Sequence, residues 1–160
     1  MDKTATPPES GAEAPGALHW RALESLYRSA PVNALFDSQL EVEGEGRATI
    51  HFRIEERHFH AAGAAHGTLY FKMLDDAAFY AANTMVSDRF LLTTAFNLHF
   101  TRPIGVGEAR AEGHWVSGRR RVLVAESRII DASGEEVGRG TGTFMRSRIA
   151  LSGLDGYGKK

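Results

Sequence analysis

Apolar residues change their spacing several times along the chain, and each change marks an element. Leu18, Leu23, Leu26 and Tyr27 recur at helical spacing until Pro31, whose ring and missing N–H stop a helix, so a short amphipathic helix opens the domain. In SQLEVEGEGRATIHFRIEERH the period falls to two. Ala48, Ile50, Phe52 and Ile54 alternate with polar residues, and Gly44 and Gly46 punctuate two extended runs, which predicts a strand hairpin with one wet face. The segment GTLYFKMLDDAAFYAANTMV returns to helical spacing without an internal Gly or Pro and predicts the main helix.

Extended stretches follow at about Leu91–Thr101, Glu108–Ser117, Arg121–Ile130 and Glu136–Arg148. RPIGVGE, SGRR and DASGEE separate them and carry the Gly, Ser or Asp of sharp antiparallel connections. The predicted order is helix, two strands, long helix, then a consecutive meander. A helix this apolar cannot be covered by its own hairpin, so the sheet must curl around it, giving an α+β domain. Residues 1–16 have almost nothing to bury and are expected to be a flexible tail. Residues 17–148 form one domain, and the glycine-rich 149–160 are expected to be a second tail.

Composition narrows the chemistry. With no cysteine among 160 residues, disulfides, thiol nucleophiles and thiolate metal sites are excluded, which suits a reducing cytoplasm. A net charge of −1 gives no bulk attraction to nucleic acid or an acidic membrane. No apolar run nears the roughly 18 residues of a membrane helix, nor does the N-terminus resemble a signal peptide, so a cytoplasmic location is expected.

The loop RHFHAAGAAHG runs into the long helix and leaves Gly67 at its N-terminus, where unpaired backbone N–H groups stabilise charge on a carbonyl oxygen. Gly67 either lets a substrate carbonyl approach the backbone or merely opens the helix. Asp75 and Asp76 are separated by helical projection at about 100° per residue. Asp75 falls at the edge of the stripe formed by Gly67, Phe71, Leu74, Ala78, Ala81 and Met85. Asp76 lies opposite, one turn after Lys72, where an i,i+4 ion pair is available. Asp75 is therefore the candidate chemical carboxylate and Asp76 the structural one; partial burial would raise the Asp75 pKa and suit a base or nucleophile.

His51, His58, His60 and His66 invite a metal reading, but His-x-His alone is a weak spacing and no metal or cofactor is expected. His66 is expected to hydrogen-bond the loop and shape the helix start. Arg119, Arg120 and Arg121 form a basic turn, with Arg102 after a neighbouring strand; such groups either hold phosphates or form a solvated hairpin tip.

His66-Gly67, with Gly63 three residues before and Asp75 nine residues after His66, followed by Phe100-Thr101-Arg102-Pro103, resembles the PaaI-type hotdog acyl-CoA thioesterases over about Ala30 to Met145. The family pattern His-x-Asn-x-x-Gly-x-x-His-Gly-Gly reads here as His58, His60, Gly63, His66, Gly67 and Thr68, so His60 stands for Asn and Thr68 for the second Gly. The resemblance implies the hotdog fold, a curled antiparallel sheet around a long central helix. It implies that the Gly67 N–H polarises the thioester carbonyl and that Asp75 attacks it or activates water, the two coming from opposite subunits of a homodimer. Asn33 resembles an upstream residue that orients water or the carboxylate, and Thr93 or Thr94 falls where a hydroxyl often lines the site.

His60, Thr68, Phe71, Thr93, Thr94, Arg102 and Arg119–Arg121 are thus candidate substrate contacts, with Phe79 and Tyr80 as further pocket residues. Coenzyme A would enter as part of the substrate, and the assembly would be a dimer or tetramer with its site between subunits. The alternatives are a hotdog dehydratase or hydratase, and a non-catalytic acyl-CoA-binding dimer.

Overall fold

The computed structural model describes residues 14–158, so most of the tail expected over 1–16 lies outside the described residues. The chain forms α1 (Ala17–Ser29), β1 (Ser38–Gly44), β2 (Arg47–Ile54), α2 (Gly67–Asn83), β3 (Arg89–Phe100), β4 (Gly107–Ser117), β5 (Val122–Asp131) and β6 (Glu136–Ala150). The hotdog architecture is observed: one antiparallel six-stranded sheet wraps α2. Among the described residues no helix is long and apolar enough to cross a membrane.

The period-two reading of β2 holds, because Ala48, Ile50, Phe52 and Ile54 are all buried under α2. The meander is corrected. The strand order is β1-β2-β4-β5-β6-β3, so β4, β5 and β6 are consecutive neighbours, but β3 occupies the far edge beside β6 and β4 returns to pair with β2. RPIGVGE is accordingly a crossover and not a hairpin turn. It is pinned to the loop before α2 by the Ala65 N–H donating to Ile104 O at 2.9 Å and by the Tyr70 hydroxyl donating to Arg102 O at 2.6 Å. DASGEE does make a tight turn, in which the Asp131 carboxylate accepts from the N–H groups of Ser133 and Glu135.

The expected second tail is also corrected over its described part. β6 runs to Ala150, Leu151 is fully buried, and the Tyr157 hydroxyl lies 2.7 Å from His19 Nδ1 on α1. Burial of Leu151 against the core, absent from any periodic pattern, holds this end in place.

Most of α2 faces protein, with Leu69, Met73, Leu74, Ala77, Ala78, Ala81 and Ala82 closed from solvent. The helix lies so close to β4 that a Cβ at Gly113 would stand 2.0 Å from Ala77 O. That atom is helix backbone, which cannot swing aside as a side chain would. Gly113→Ala should therefore destabilise the protein by about 3 kcal/mol or more, the upper range for an overpacked core, measured as a fall in the urea midpoint.

Candidate active site

His66 is the N-cap of α2, and its Nδ1 accepts the Thr68 N–H at 3.1 Å. The ring proton is then on Nε2. Neighbouring amides are engaged as well: Ala65 N–H donates to Ile104 O, His66 N–H to His58 O, and Leu69 N–H to His66 O. The Gly67 N–H has no acceptor among the described residues. Gly67 lines a cleft of about 360 Å³ together with His60, Tyr70, Phe100 and Arg102. The fold thus brings Gly67, His60 and Arg102 together.

Eight residues along α2, Asp75 is partly buried and Thr93 Oγ1 donates to its Oδ1 at 3.0 Å. A β-bulge after Thr93 turns Thr94 the other way, onto Thr143, so Thr93 is the hydroxyl at this carboxylate. Burial pushes the Asp75 pKa up to about 6; the Thr93 hydrogen bond and Lys72 oppose the rise, and the charge of Asp76 adds to it. Burial also raises the Asp76 pKa, against the pull of Lys72, which pairs with it one turn back.

Gly67, Phe71 and Asp75 lie on one line of α2, and Phe100, Phe96 and Thr93 answer them on β3. The Gly67 Cα faces the Phe100 ring, Phe71 meets Phe96 edge-on with centroids 5.7 Å apart, and Asp75 meets Thr93. Since β3 is an edge strand, this seam runs along an open border of the sheet, and Phe71 and Phe100 are exposed there.

Several expected site residues sit elsewhere. Asn33 is buried with its amide engaged: Nδ2 donates to Tyr27 O at 2.7 Å, and Oδ1 accepts from Lys72 Nζ at 2.7 Å. It serves the Lys72–Asp76 network and does not touch Asp75. Phe79 and Tyr80 are buried in an aromatic cluster with Phe90, Phe144 and Tyr27. Arg102 and the basic turn occupy opposite ends of the sheet. The Arg102 N–H bonds Val137 O and Arg121 O accepts from Arg146 N–H, a separation of nine residues on β6, or about 30 Å. Arg119 lies over the Trp115 ring and pairs with Glu45 at 3.2 Å, and Arg102 pairs with Glu135 at 3.5 Å.

The histidines are used locally: His58 Nδ1 accepts the Glu55 N–H, and His60 Nδ1 accepts the Ala62 N–H. No group of three metal-ligating side chains converges among the described residues. A larger concavity of about 600 Å³ is lined by Glu112, Arg128 and Arg139 on the outer face of the sheet, away from both Gly67 and Asp75. Several of its charged groups are already engaged, as in the Arg128–Glu112 and Arg47–Glu43 pairs.

Sequence reasoning missed Phe96 and took Phe100 only as part of the Phe-Thr-Arg-Pro motif; the placement of both depends on β3 reaching the far edge. Their alternation with Leu98 was the available signal.

Comparison with known proteins bears on the fold and the superfamily. The model of the thioesterase superfamily matches residues 62–138, a span that holds Gly67, Asp75, the whole of β3 and Arg102. No curated protein matches the sequence. The fold is similar to that of the E. coli PaaI protein from the phenylacetic acid degradation operon, with a TM-score of 0.77 and 18% identity over 84% of this chain and 97% of that one. A thioesterase family protein from Silicibacter pomeroyi aligns with a TM-score of 0.72 and 23% identity, covering 81% of this chain and 97% of that one. A Haemophilus influenzae thioesterase aligns with a TM-score of 0.69 and 14% identity over 76% of this chain and 85% of that one.

The chain has the hotdog fold, and its residues 62–138 match the thioesterase superfamily model. The resemblance to the PaaI-type members is borne out at the level of the fold.

Two stability effects follow from the paired aspartates. Lys72→Met strands the Asp76 carboxylate without its cation and should cost about 3 kcal/mol, partly recovered by adding Asp76→Asn, as read from chemical denaturation. Asp75 binds its proton more tightly folded than unfolded, so its ionised form opposes folding above pH 6, and the opposition fades as pH falls toward 4. Asp75→Asn should raise stability by on the order of 1 kcal/mol at pH 8 and by little at pH 4, compared by thermal melts at the two pH values.

Proposed function

We propose that the protein is an acyl-CoA thioesterase, converting a thioester and water to a free acid and CoA. The observation that carries this reading is the pairing of an unsatisfied Gly67 N–H at the start of α2 with a partly buried carboxylate, Asp75, on the same face. The Gly67 N–H, aided by the helix dipole, stabilises the negative charge that develops on the thioester oxygen. Asp75 in its ionised form attacks the carbonyl carbon or takes a proton from the attacking water, and Thr93 holds its Oδ1. His66 organises the loop through Thr68, leaving the Gly67 N–H without an acceptor among the described residues.

The two groups are eight residues apart on one helix, about 12 Å along its axis, too far to act on the same carbonyl. A homodimer resolves this. Two copies joined along their β3 edges by a twofold axis run their α2 helices in opposite directions, so Gly67 of one copy comes to Asp75 of the other. The exposed Phe71 and Phe100 along the seam supply apolar surface for that contact. Arg102, at the mouth of the Gly67 cleft, and the distant basic turn Arg119–Arg121 are candidate phosphate contacts for CoA, each in a different copy.

The test is thiol release from short-chain, medium-chain and phenylacetyl CoA thioesters. The wild-type protein should hydrolyse at least one of them, and Asp75→Ala should lower kcat/KM by about 10²–10⁴-fold. The wild-type kcat/KM should fall on the acid side of about pH 6, where Asp75 takes up its proton. A protein that binds these thioesters and releases no thiol from any of them would be a binding module instead.

A further inference from the structure

β6 carries Gly138, Gly140 and Gly142 at alternate positions, and all three face inward toward α2 and are buried. Glycine inside a strand weakens it and marks a place where something approaches the backbone closely. Here the visitor is a ring from the neighbouring strand. A Cβ on Gly140 would stand 2.5 Å from Phe96 Cε1, and one on Gly142 would stand 2.5 Å from Phe96 Cδ2. The Phe96 ring therefore lies flat on the β6 backbone, in a trench that the missing side chains leave. Tyr70 closes the trench at Gly138, where a Cβ would meet its ring at 3.1 Å, and Phe144 closes it at Gly142, where the distance would be 2.8 Å.

Phe96 is also the middle rung of the seam between α2 and β3, set between Gly67 at one end and Asp75 at the other. It is only partly buried and rests edge-on against the exposed Phe71. Phe71 is one turn from Gly67, about 6 Å along the helix axis. A group whose carbonyl oxygen sits on the Gly67 N–H and whose tail runs down the seam has room for a handful of carbon atoms before it meets this pair. Beyond the pair, the trench is the space that further carbons would need.

We propose that Phe96 sets the acyl length of the substrate: it plugs the Gly140–Gly142 trench, so that compact acyl groups are accepted and long aliphatic chains refused. This inference rests on the thioesterase reading above. Phe96 touches neither reacting group, and its effect is on which acyl tail fits. If the ring served only to cover strand glycines, its removal would lower stability and leave the length preference where it was.

The experiment measures kcat/KM, and separately calorimetric binding, for straight-chain acyl-CoAs from acetyl to dodecanoyl. The proteins are the wild type, Phe96→Ala, Phe96→Leu and the double variant Phe96→Ala with Gly140→Ala. Phe96→Ala should raise the decanoyl-to-butanoyl ratio by at least about tenfold, the range that fitting one or more methylenes commands. Phe96→Leu should shift it less. The added Gly140 methyl, back in the emptied trench, should return the ratio toward wild type. If Phe96→Ala does not fold, Phe96→Leu carries the comparison.

An unchanged length dependence of both turnover and binding in the variants overturns the plug. A wild-type protein that hydrolyses none of the series overturns the thioesterase reading, and the binding profile then still decides whether Phe96 limits chain length.

Discussion

The structure depends on how closely α2 can approach the sheet. At Gly113 the helix backbone occupies the space where a β4 side chain would be, with Ala77 O at 2.0 Å from the position of a Cβ. Ala77, Ala78, Ala81 and Ala82 keep the helix thin on its buried faces. With little side-chain volume between the layers, all six strands can reach α2, and the sheet must curl to do so. A helix enclosed this far keeps few positions free. Gly67, Phe71 and Asp75 remain at the border because β3, the last strand to cover α2, has no neighbour on its outer side.

Within that border, two adjacent aspartates meet opposite fates. Burial raises both pKa values. Asp76 turns toward α1 and finds a cation, Lys72, which Asn33 also holds and which lies over the rings of Tyr27 and Phe36. Asp75 turns toward β3 and finds only the Thr93 hydroxyl. The charge on Asp76 further disfavours a second charge at Asp75, so the paired residue helps tune the unpaired one. One carboxylate is thus paired with a cation and the other is left with a hydroxyl alone, a difference made by one residue of rotation on a helix.

That division was legible in the sequence, because both aspartates sit on a helix whose phase the apolar residues fix. The same holds for the N-cap role of His66 and for the buried face of β2, which are local. What was not legible depends on pairing between distant segments. The position of β3 at the far edge follows from the chain leaving α2 on that side, and no turn motif encodes it; RPIGVGE has the residues of a hairpin turn and forms a crossover instead. Once β3 is misplaced, Arg102 appears near the basic turn when the two are about 30 Å apart. Asn33 and Phe79 were misread for a related reason. Polar and aromatic residues near a motif look functional until their buried partners, Lys72 for one and Phe144 for the other, are in view.

The glycines of the sheet illustrate why a shared composition does not mean a shared role. At Gly113 the missing side chain is replaced by helix backbone, a substitution that is permanent because the peptide unit belongs to the core of α2. At Gly140 and Gly142 it is replaced by the Phe96 ring, carried on an edge strand and held partly by an exposed neighbour. The first arrangement fixes the distance between the layers. The second fills space that a side chain on β6 could have filled for good, and fills it with a group attached to the strand that borders the site. A fold that needed only a closed core had no reason to place the filling there. A fold that must admit a compact tail beside Gly67 while excluding a long one is served by a ring in that position.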